Sequence, residues 1–251
     1  MPPVRRITAE DLTIPSAPFT CLAIETATDL PSVAFLRGDL VAVRESRGLR
    51  APSRNVFEWA RELLDESAAS LDHLDCIAFG SGPGSFTGVR VAVAMAQGLA
   101  YASDLPLCPV STLAALAAAA FQRTTTDLVA CCLDAHMGEV YAGFYARDPA
   151  EGVRALIPDS LVGPDALTLP GDGAFLAVGP GWAAYPALAG RLRGRFTGLE
   201  PDLLPSAVDV ARLAQSRFLS GKVVPPAEAQ PNYLRHHVAS VAKAALAGSS
   251  D

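Results

Sequence analysis

Charged residues are scarce in this sequence, and it has no apolar run long enough to cross a membrane. Only 18% of the 251 residues are charged, whereas 50% are hydrophobic and the mean hydropathy is +0.27. Disordered chains show the opposite balance, so we expect a folded protein. The two most apolar stretches, 91–102 and 113–121, are shorter than the ~20 residues of a membrane-spanning helix. We therefore expect a soluble, cytoplasmic protein that does not bind a membrane.

The sequence has fewer basic than acidic residues, and its cysteines and histidines lack the spacings that are typical of metal sites. Twenty Lys and Arg against 26 Asp and Glu give a net charge of −6, which disfavours a broad phosphate-binding surface for nucleic acid. The five cysteines form no CxxC pair and lie in apolar runs, so we expect buried thiols in a reducing compartment. The four histidines show neither HExxH nor HxxxH spacing. No metal site is predicted.

Alternating strand and helix patterns indicate an α/β protein, and one strand pattern occurs twice. An apolar run ends at Glu25 and another at Asp134, and each is followed by a second strand. Glu25 and Asp134 are 109 positions apart, as are Phe35 and Phe144. The offset fits a duplicated unit, although strands often end in acidic residues and coincidence explains a single match equally well. Four helices are predicted. The first begins at residue 53, the second ends at residue 102, the third begins after residues 111–112 and the fourth lies near 207–219.

A glycine-rich segment, 81–88, joins a predicted strand to a predicted helix. It has no lysine and so is not a P-loop, and it has one residue too many for the dinucleotide-binding GxGxxG pattern. A strand, a glycine turn and a helix N-terminus together form an anion site in some proteins. The glycines are equally explained by a tight turn, and both interpretations stay open.

The helix after this segment carries a row of small residues at every fourth position: Gly88, Ala92, Ala96 and Ala100. Such a row allows another helix to approach closely. The helix is apolar nearly all round, which is typical of burial inside the domain or of a partner interface. The sequence does not decide between the two.

No catalytic cluster is found. Ser85 has no evident histidine or acidic partner, and a GxSxG motif is missing. Glu25 and Asp134 are interpreted either as paired carboxylates for Mg²⁺ or as acids that form turns. We predict no catalytic residue.

Four runs of residues, in order along the chain, resemble the TsaB family, also called YeaZ. They are CLAIETATDLPSVAFL (21–36), IAFGSGPGSFTGVRVAVAMAQGLA (77–100), LDAHMGEVYAGFY (133–145) and PNYLR (231–235). The resemblance implies a two-lobed fold of the actin, sugar-kinase and Hsp70 type, with duplicated ribonuclease H-like lobes. It divides the chain into an N-terminal extension (1–18), a first lobe (19–107), a second lobe (108–238) and a small-residue tail (239–251).

The resemblance also implies a function in making threonylcarbamoyladenosine next to the anticodon of tRNAs that read codons beginning with A. TsaB proteins are non-catalytic partners of a paralogue, TsaD, and of the ATPase TsaE. This chain would therefore contact tRNA only through the complex and need no cofactor of its own, because the partner subunits use ATP and Mg²⁺. Without TsaD it would form a homodimer. Residues 50–55, where TsaD carries a metal-binding histidine pair, contain no histidine.

The resemblance assigns a partner interface and a weak nucleotide cleft. The interface residues are the signature loop and its helix: Gly82, Pro83, Gly84, Ser85, Phe86, Thr87, Gly88, Arg90, Ala92, Val93, Ala96 and Ala100. The cleft residues are Glu25, Thr26, Thr28, Ser32 and Asp134. Two positions depart from the family: Glu25 stands where aspartate is usual, and His136 where arginine is usual. The alternative is an independent ATPase or small-molecule kinase of the same fold; a metallopeptidase is disfavoured by the absent histidine pair.

Overall fold

The computed structural model describes residues 18–47 and 53–235. The predicted extension, apart from residue 18, and the predicted tail lie outside the described residues. Two mixed sheets contain all eleven described strands, and α-helices cover their faces.

The first sheet has the strand order β3-β2-β1-β4-β5. Strand β2 is antiparallel to both of its neighbours, and β1, β4 and β5 are parallel. The strands are β1 (Thr20–Glu25), β2 (Ser32–Arg37), β3 (Leu40–Glu45), β4 (Cys76–Gly80) and β5 (Leu107–Val110). Helices α1 (Ser53–Glu66) and α2 (Phe86–Ser103) cover one face of this sheet.

The second sheet repeats this topology, in the order β11-β10-β6-β7-β8, with β9 also paired to β7. The strands are β6 (Leu128–His136), β7 (Glu139–Asp148), β8 (Gly152–Ala155), β9 (Ser160–Val162), β10 (Phe175–Val178) and β11 (Phe196–Glu200). Strands β6, β10 and β11 are parallel, and β7 is antiparallel to β6 and β8. The duplication and the two-lobed fold are confirmed.

The four remaining α-helices lie between the sheets or on the far side of the second sheet. They are α3 (Thr112–Arg123), α4 (Gly181–Ala184), α5 (Pro186–Leu192) and α6 (Ala207–Leu219). Helix α6 packs on the first sheet and α3 on the second, and they contact each other between the lobes. Helices α4 and α5 cover the outer face of the second sheet. All five cysteines are buried free thiols, as predicted.

The lobe boundaries differ from those predicted. A boundary at residues 107 and 108 falls inside β5, which pairs with β4 of the first sheet. Helix α6, predicted in the second lobe, packs on β1, β2, β4 and β5. The chain after α6 also returns to the first lobe, where Leu107 and Val224 form a β-bridge and Ala229 is buried. The first lobe therefore includes a C-terminal part of the chain.

Among the residues with described positions, no helix is both long enough and apolar enough to span a bilayer.

Candidate partner-binding site

The glycine-rich segment is held against the β1–β2 turn by its backbone. The Ser85 amide donates to the Ala27 carbonyl at 2.7 Å, and the Ser81 amide donates to the Val110 carbonyl at 2.8 Å. A Cβ atom on Gly84 would lie 2.4 Å from the Ala27 oxygen, and one on Gly88 only 1.9 Å from the Thr26 oxygen. These glycines allow two backbone segments to touch. The tight-turn interpretation therefore explains them without an anion.

Helix α2 begins at this segment, with the Ser85 hydroxyl accepting from the Gly88 amide at 3.4 Å. Its row of small residues does not face solvent. Ala92, Ala96 and Ala100 have 0% of their surface exposed and pack, with Val89 and Val93, into the core of the first lobe. The assignment of Ala92, Val93, Ala96 and Ala100 to the interface is therefore corrected. They let α2 lie close to its own sheet.

Gly82 and Pro83 are also buried within the chain. The Gly82 carbonyl accepts from the Thr112 amide at 2.9 Å, so this part of the loop joins β4 to α3. Neither residue offers a side chain to a partner. Of the predicted interface, only Ser85, Phe86, Thr87 and Arg90 are exposed, and Gly84 and Gly88 are partly so.

The outer face of α2 is apolar as well, and the sequence-based assignment missed it. Its exposed or half-exposed residues recur at helical spacing: Thr87, Val91, Ala94, Gly98 and Tyr101. Tyr101 is 63% exposed, and a Cβ on Gly98 would meet no atom within 4 Å. Arg90 is the one charged residue of α2. We call this the outer stripe; a solvent-facing helix stripe so poor in charge is typical of a docking surface.

An aromatic group extends the outer stripe at the helix N-terminus. The Arg90 guanidinium carbon lies 3.2 Å from the Phe86 ring centroid and 5.2 Å from that of Tyr233. Phe86 is 59% exposed and Tyr233 43%. No described acidic group forms an ion pair with Arg90. Exposed aromatic and arginine side chains of this kind are enriched at protein interfaces.

Residues 226–235 run along α2 and then reach the second lobe. The Gln97 side-chain amide donates to the Pro226 carbonyl at 2.9 Å, and the Asn232 amide donates to the Ser81 carbonyl at 2.7 Å. Arg235 forms an ion pair with Glu139 at 2.7 Å and donates to the Ala135 carbonyl at 3.1 Å. This segment ties the glycine-rich loop to the β6–β7 turn. The PNYLR run therefore has a structural function that its sequence alone did not reveal.

The predicted nucleotide cleft does not form around Glu25. Its side chain is fully buried and lies against Gly80, where an added Cβ would be 2.1 Å from Oε2. One carboxyl oxygen accepts from the Ala27 amide at 2.7 Å and the other from the Thr112 hydroxyl at 3.1 Å. This arrangement joins the end of β1 to the start of α3 and leaves Glu25 out of reach of a ligand.

The other residues of that cleft are also engaged within the chain. Thr26 donates to the Gly88 carbonyl at 2.6 Å, and Thr28 accepts from the Leu30 amide at 3.4 Å. Ser32 is fully buried and accepts from the Ala207 amide of α6 at 2.8 Å. Asp134 accepts from the His136 amide at 2.8 Å and from the Tyr185 hydroxyl at 3.2 Å. Glu25 and Asp134 each accept from the amide two residues further along the chain, so both act as turn-forming acids.

Burial raises the pKa of Glu25 from its ordinary value of 4.5 to about 7, against the hydrogen bonds from Ala27 and Thr112 that lower it. The folded chain therefore holds this proton up to about pH 7, whereas the unfolded chain loses it near pH 4.5. Between these two pH values, Glu25 therefore lowers the free energy of unfolding as the pH rises. Above about pH 7 its contribution no longer changes with pH.

Replacing Glu25 by glutamine should remove this loss, because the amide carries no charge. Its oxygen can accept from the Ala27 amide as before, and its NH2 group can donate to the Thr112 hydroxyl in place of the bond that the carboxyl oxygen accepts. The difference in unfolding free energy between Glu25→Gln and the wild type should grow by about 2–3 kcal/mol from pH 4.5 to pH 8. Urea unfolding at a series of pH values measures it. A difference that does not change with pH would show that Glu25 titrates normally.

In the described part of the chain, no group of three His, Cys, Asp or Glu side chains is placed to hold a metal ion. The absence of a metal requirement stays a prediction.

Comparison with known proteins identifies the family and the fold of the chain. A family model described as "TsaD: tRNA N6-adenosine threonylcarbamoyltransferase" matches residues 48–240. The chain is 36% identical to the tRNA threonylcarbamoyladenosine biosynthesis protein TsaB of Escherichia coli (strain K12), over 87% of this chain and 95% of the relative. It is 37% identical to TsaB of Haemophilus influenzae, over 87% of this chain and 94% of the relative.

A solved structure, YeaZ from Pseudomonas aeruginosa, superimposes with a TM-score of 0.77 at 34% identity and covers 86% of this chain and all of that chain. Another from the same organism, described as similar to peptidase YeaZ, gives a TM-score of 0.79 at 36% identity. The fold and the family model place the protein among TsaD-type, actin-like proteins. Within that class, the chain belongs to the TsaB (YeaZ) family.

Proposed function

We propose that this chain is a cytoplasmic, non-catalytic scaffold subunit in tRNA threonylcarbamoyladenosine biosynthesis. It binds a TsaD-type partner, with TsaE docking on the pair, and supports threonylcarbamoyl transfer to the adenosine 3′ of the anticodon in tRNAs reading codons that begin with A. The chain's relatives are named for this pathway, which supports the proposal.

The observation that carries the scaffold function is the outer stripe. It offers a continuous apolar helix face, with Gly98 and Ala94 small enough for a partner helix to approach closely. The Phe86, Arg90 and Tyr233 group at one end supplies side chains that commonly dominate binding energy. When no TsaD-type partner is present, a second copy of the chain covers the same stripe and gives a homodimer.

The engaged carboxylates support a non-catalytic subunit. Glu25 is buried with both oxygens bonded, and Asp134 is bonded to the His136 amide and the Tyr185 hydroxyl. Because Glu25 is closed off from solvent, its carboxyl is a poor candidate for one of the paired Mg²⁺ ligands that an independent ATPase or kinase of this fold would need. The chain requires no cofactor in this proposal, and ATP and Mg²⁺ act on the partner subunits. It meets tRNA through the complex, in line with its net charge of −6.

Reconstituted transfer tests the proposal. TsaD and TsaE, supplied with threonylcarbamoyl-adenylate and tRNA, should modify the tRNA when this chain is added and much more slowly without it. The chain alone should do nothing and should show no heat of ATP binding by calorimetry. Equal modification with and without the chain, or ATP turnover by the chain alone, would contradict a scaffold function.

A further inference from the structure

A cavity of about 310 Å³ lies between the lobes, bounded by α3, α6, β7 and β8. At about 30 Å³ per water molecule, it holds a molecule of several non-hydrogen atoms. Its apolar walls come from Val110, Ala114, Val153, Ala155 and Leu213. Its polar lining residues are Ser111, Tyr145, Glu151, Arg154, Asp159 and Arg217. Small-molecule sites commonly combine apolar walls with polar groups that fix the orientation of the ligand.

One wall of this cavity carries a fixed acidic group. The Asp159 carboxyl accepts from the Ser111 hydroxyl at 2.6 Å and from the Tyr145 hydroxyl. A Cβ on Gly143 would lie 2.7 Å from Asp159 Oδ1, so the carboxyl packs directly on strand β7. Burial raises the pKa of Asp159, and the two hydroxyl donors lower it. Each carboxyl oxygen keeps a lone pair for another donor.

Arg217, on helix α6, is a basic residue of the same lining. The Nε atom of Arg217 on α6 is buried and has no hydrogen-bond partner among the described residues. Its guanidinium lies near the Cys108 thiol. Burial raises the pKa of this thiol to about 12, although the nearby Arg217 guanidinium acts to lower it. The other acidic residue of the lining, Glu151, is already paired with Lys222 Nζ at 2.5 Å. Arg217 is therefore left to bind an anion from the cavity.

A larger neighbouring cavity, of about 560 Å³, is lined by neither Asp159 nor Arg217. Its Arg147 already donates to the carbonyls of Phe121, Thr124 and Thr126. Of the two cavities, only the smaller one is lined by both Asp159 and Arg217.

We propose that the 310 Å³ cavity binds a small carboxylic acid that also carries an N–H or O–H donor, such as an α-amino acid. Its carboxylate pairs with Arg217, and its donor group bonds to Asp159. Arg154 adds a second positive charge at the lining. With Glu151 neutralised by Lys222, the remaining lining charges are those of Arg154, Arg217 and Asp159, so the carboxylate and the ammonium group of one molecule can each meet a group of opposite sign. None of the lining residues lies on α2, so this proposal is independent of partner docking.

Calorimetric titration of the full chain with L-serine, acetate and inorganic phosphate tests the proposal. L-serine should bind with a dissociation constant in the millimolar range, which is about −4 kcal/mol. Acetate lacks the donor and should bind at least tenfold more weakly. Phosphate should be weaker than L-serine, because the Asp159 carboxylate repels it.

Arg217→Met should weaken L-serine binding at least tenfold, while Arg193→Met, which replaces an exposed arginine outside the cavity, should not. Asp159→Asn should remove the preference for L-serine over acetate, and Ser111→Ala gives a second variant of that wall if Asp159→Asn fails to fold. No saturable binding by L-serine, binding that Arg217→Met leaves unchanged, or phosphate binding more tightly than L-serine would each overturn the proposal.

Discussion

Replacing Ala96 by arginine is expected to prevent the chain from folding. Ala96 is fully buried where α2 packs in the core of the first lobe. A guanidinium placed there would be both too large and without a charge partner. The cost exceeds about 5 kcal/mol, which is comparable to the whole stability of a typical domain. Ala96→Arg should be recovered as insoluble protein, or as a monomer without a cooperative thermal transition.

Ala94→Arg is the matched control for this prediction. Ala94 lies two residues away on the same helix but belongs to the outer stripe and is exposed. At a protein concentration where both are monomers, its thermal midpoint should stay within a few degrees of the wild type, since surface substitutions usually change stability by less than about 0.5 kcal/mol. If Ala96→Arg folds normally and Ala94→Arg does not, the face of α2 that contains Ala94 is the buried one, and the face that contains Ala96 is exposed.

Replacing Gly88 by alanine should destabilise the chain by about 3 kcal/mol or more. The added methyl would lie 1.9 Å from the Thr26 carbonyl oxygen, and backbone atoms must move to relieve the clash. That movement also strains the 2.6 Å hydrogen bond from the Thr26 hydroxyl to the Gly88 carbonyl. Urea unfolding of the purified variant measures the loss.

Gly98→Ala makes the same chemical change in the same helix with the opposite expected sign. A Cβ on Gly98 meets no atom within 4 Å. The variant should therefore gain about 1 kcal/mol from the better helix propensity of alanine. Equal effects of the two substitutions would show that α2 does not closely approach the β1–β2 turn at Gly88.

Local patterns were sufficient to predict most of the strands and helices. The apolar run before Glu25 forms β1, and its counterpart before Asp134 forms β6, because both are central strands of their sheets. Ser111 caps α3 as predicted, accepting from the Ala114 amide at 3.3 Å. The 109-residue offset alone left duplication and coincidence equally open, the family resemblance implied the duplication, and the matching strand orders confirm it.

Features that depend on tertiary packing were not predictable in the same way. Helix α2 has small residues on two faces, at Ala92 and Ala96 and again at Ala94 and Gly98, so spacing alone did not show which face is buried. The return of the chain to the first lobe through α6 depends on contacts more than a hundred residues apart, such as Ala207 with Ser32. The sequence allowed Glu25 to be either an acid that forms a turn or a carboxylate that binds Mg²⁺. Only its burial in the structure distinguishes these two functions.

The central claim is that the outer stripe binds a TsaD-type partner. The affinity of the partner for three forms of the full chain tests it most directly: the wild type, Ala94→Arg and Ala187→Arg, which changes an exposed helical alanine on α5. We predict that Ala94→Arg weakens binding at least about 100-fold, or about 2.7 kcal/mol, and that Ala187→Arg binds like the wild type. Wild-type affinity for a folded Ala94→Arg variant would contradict the claim.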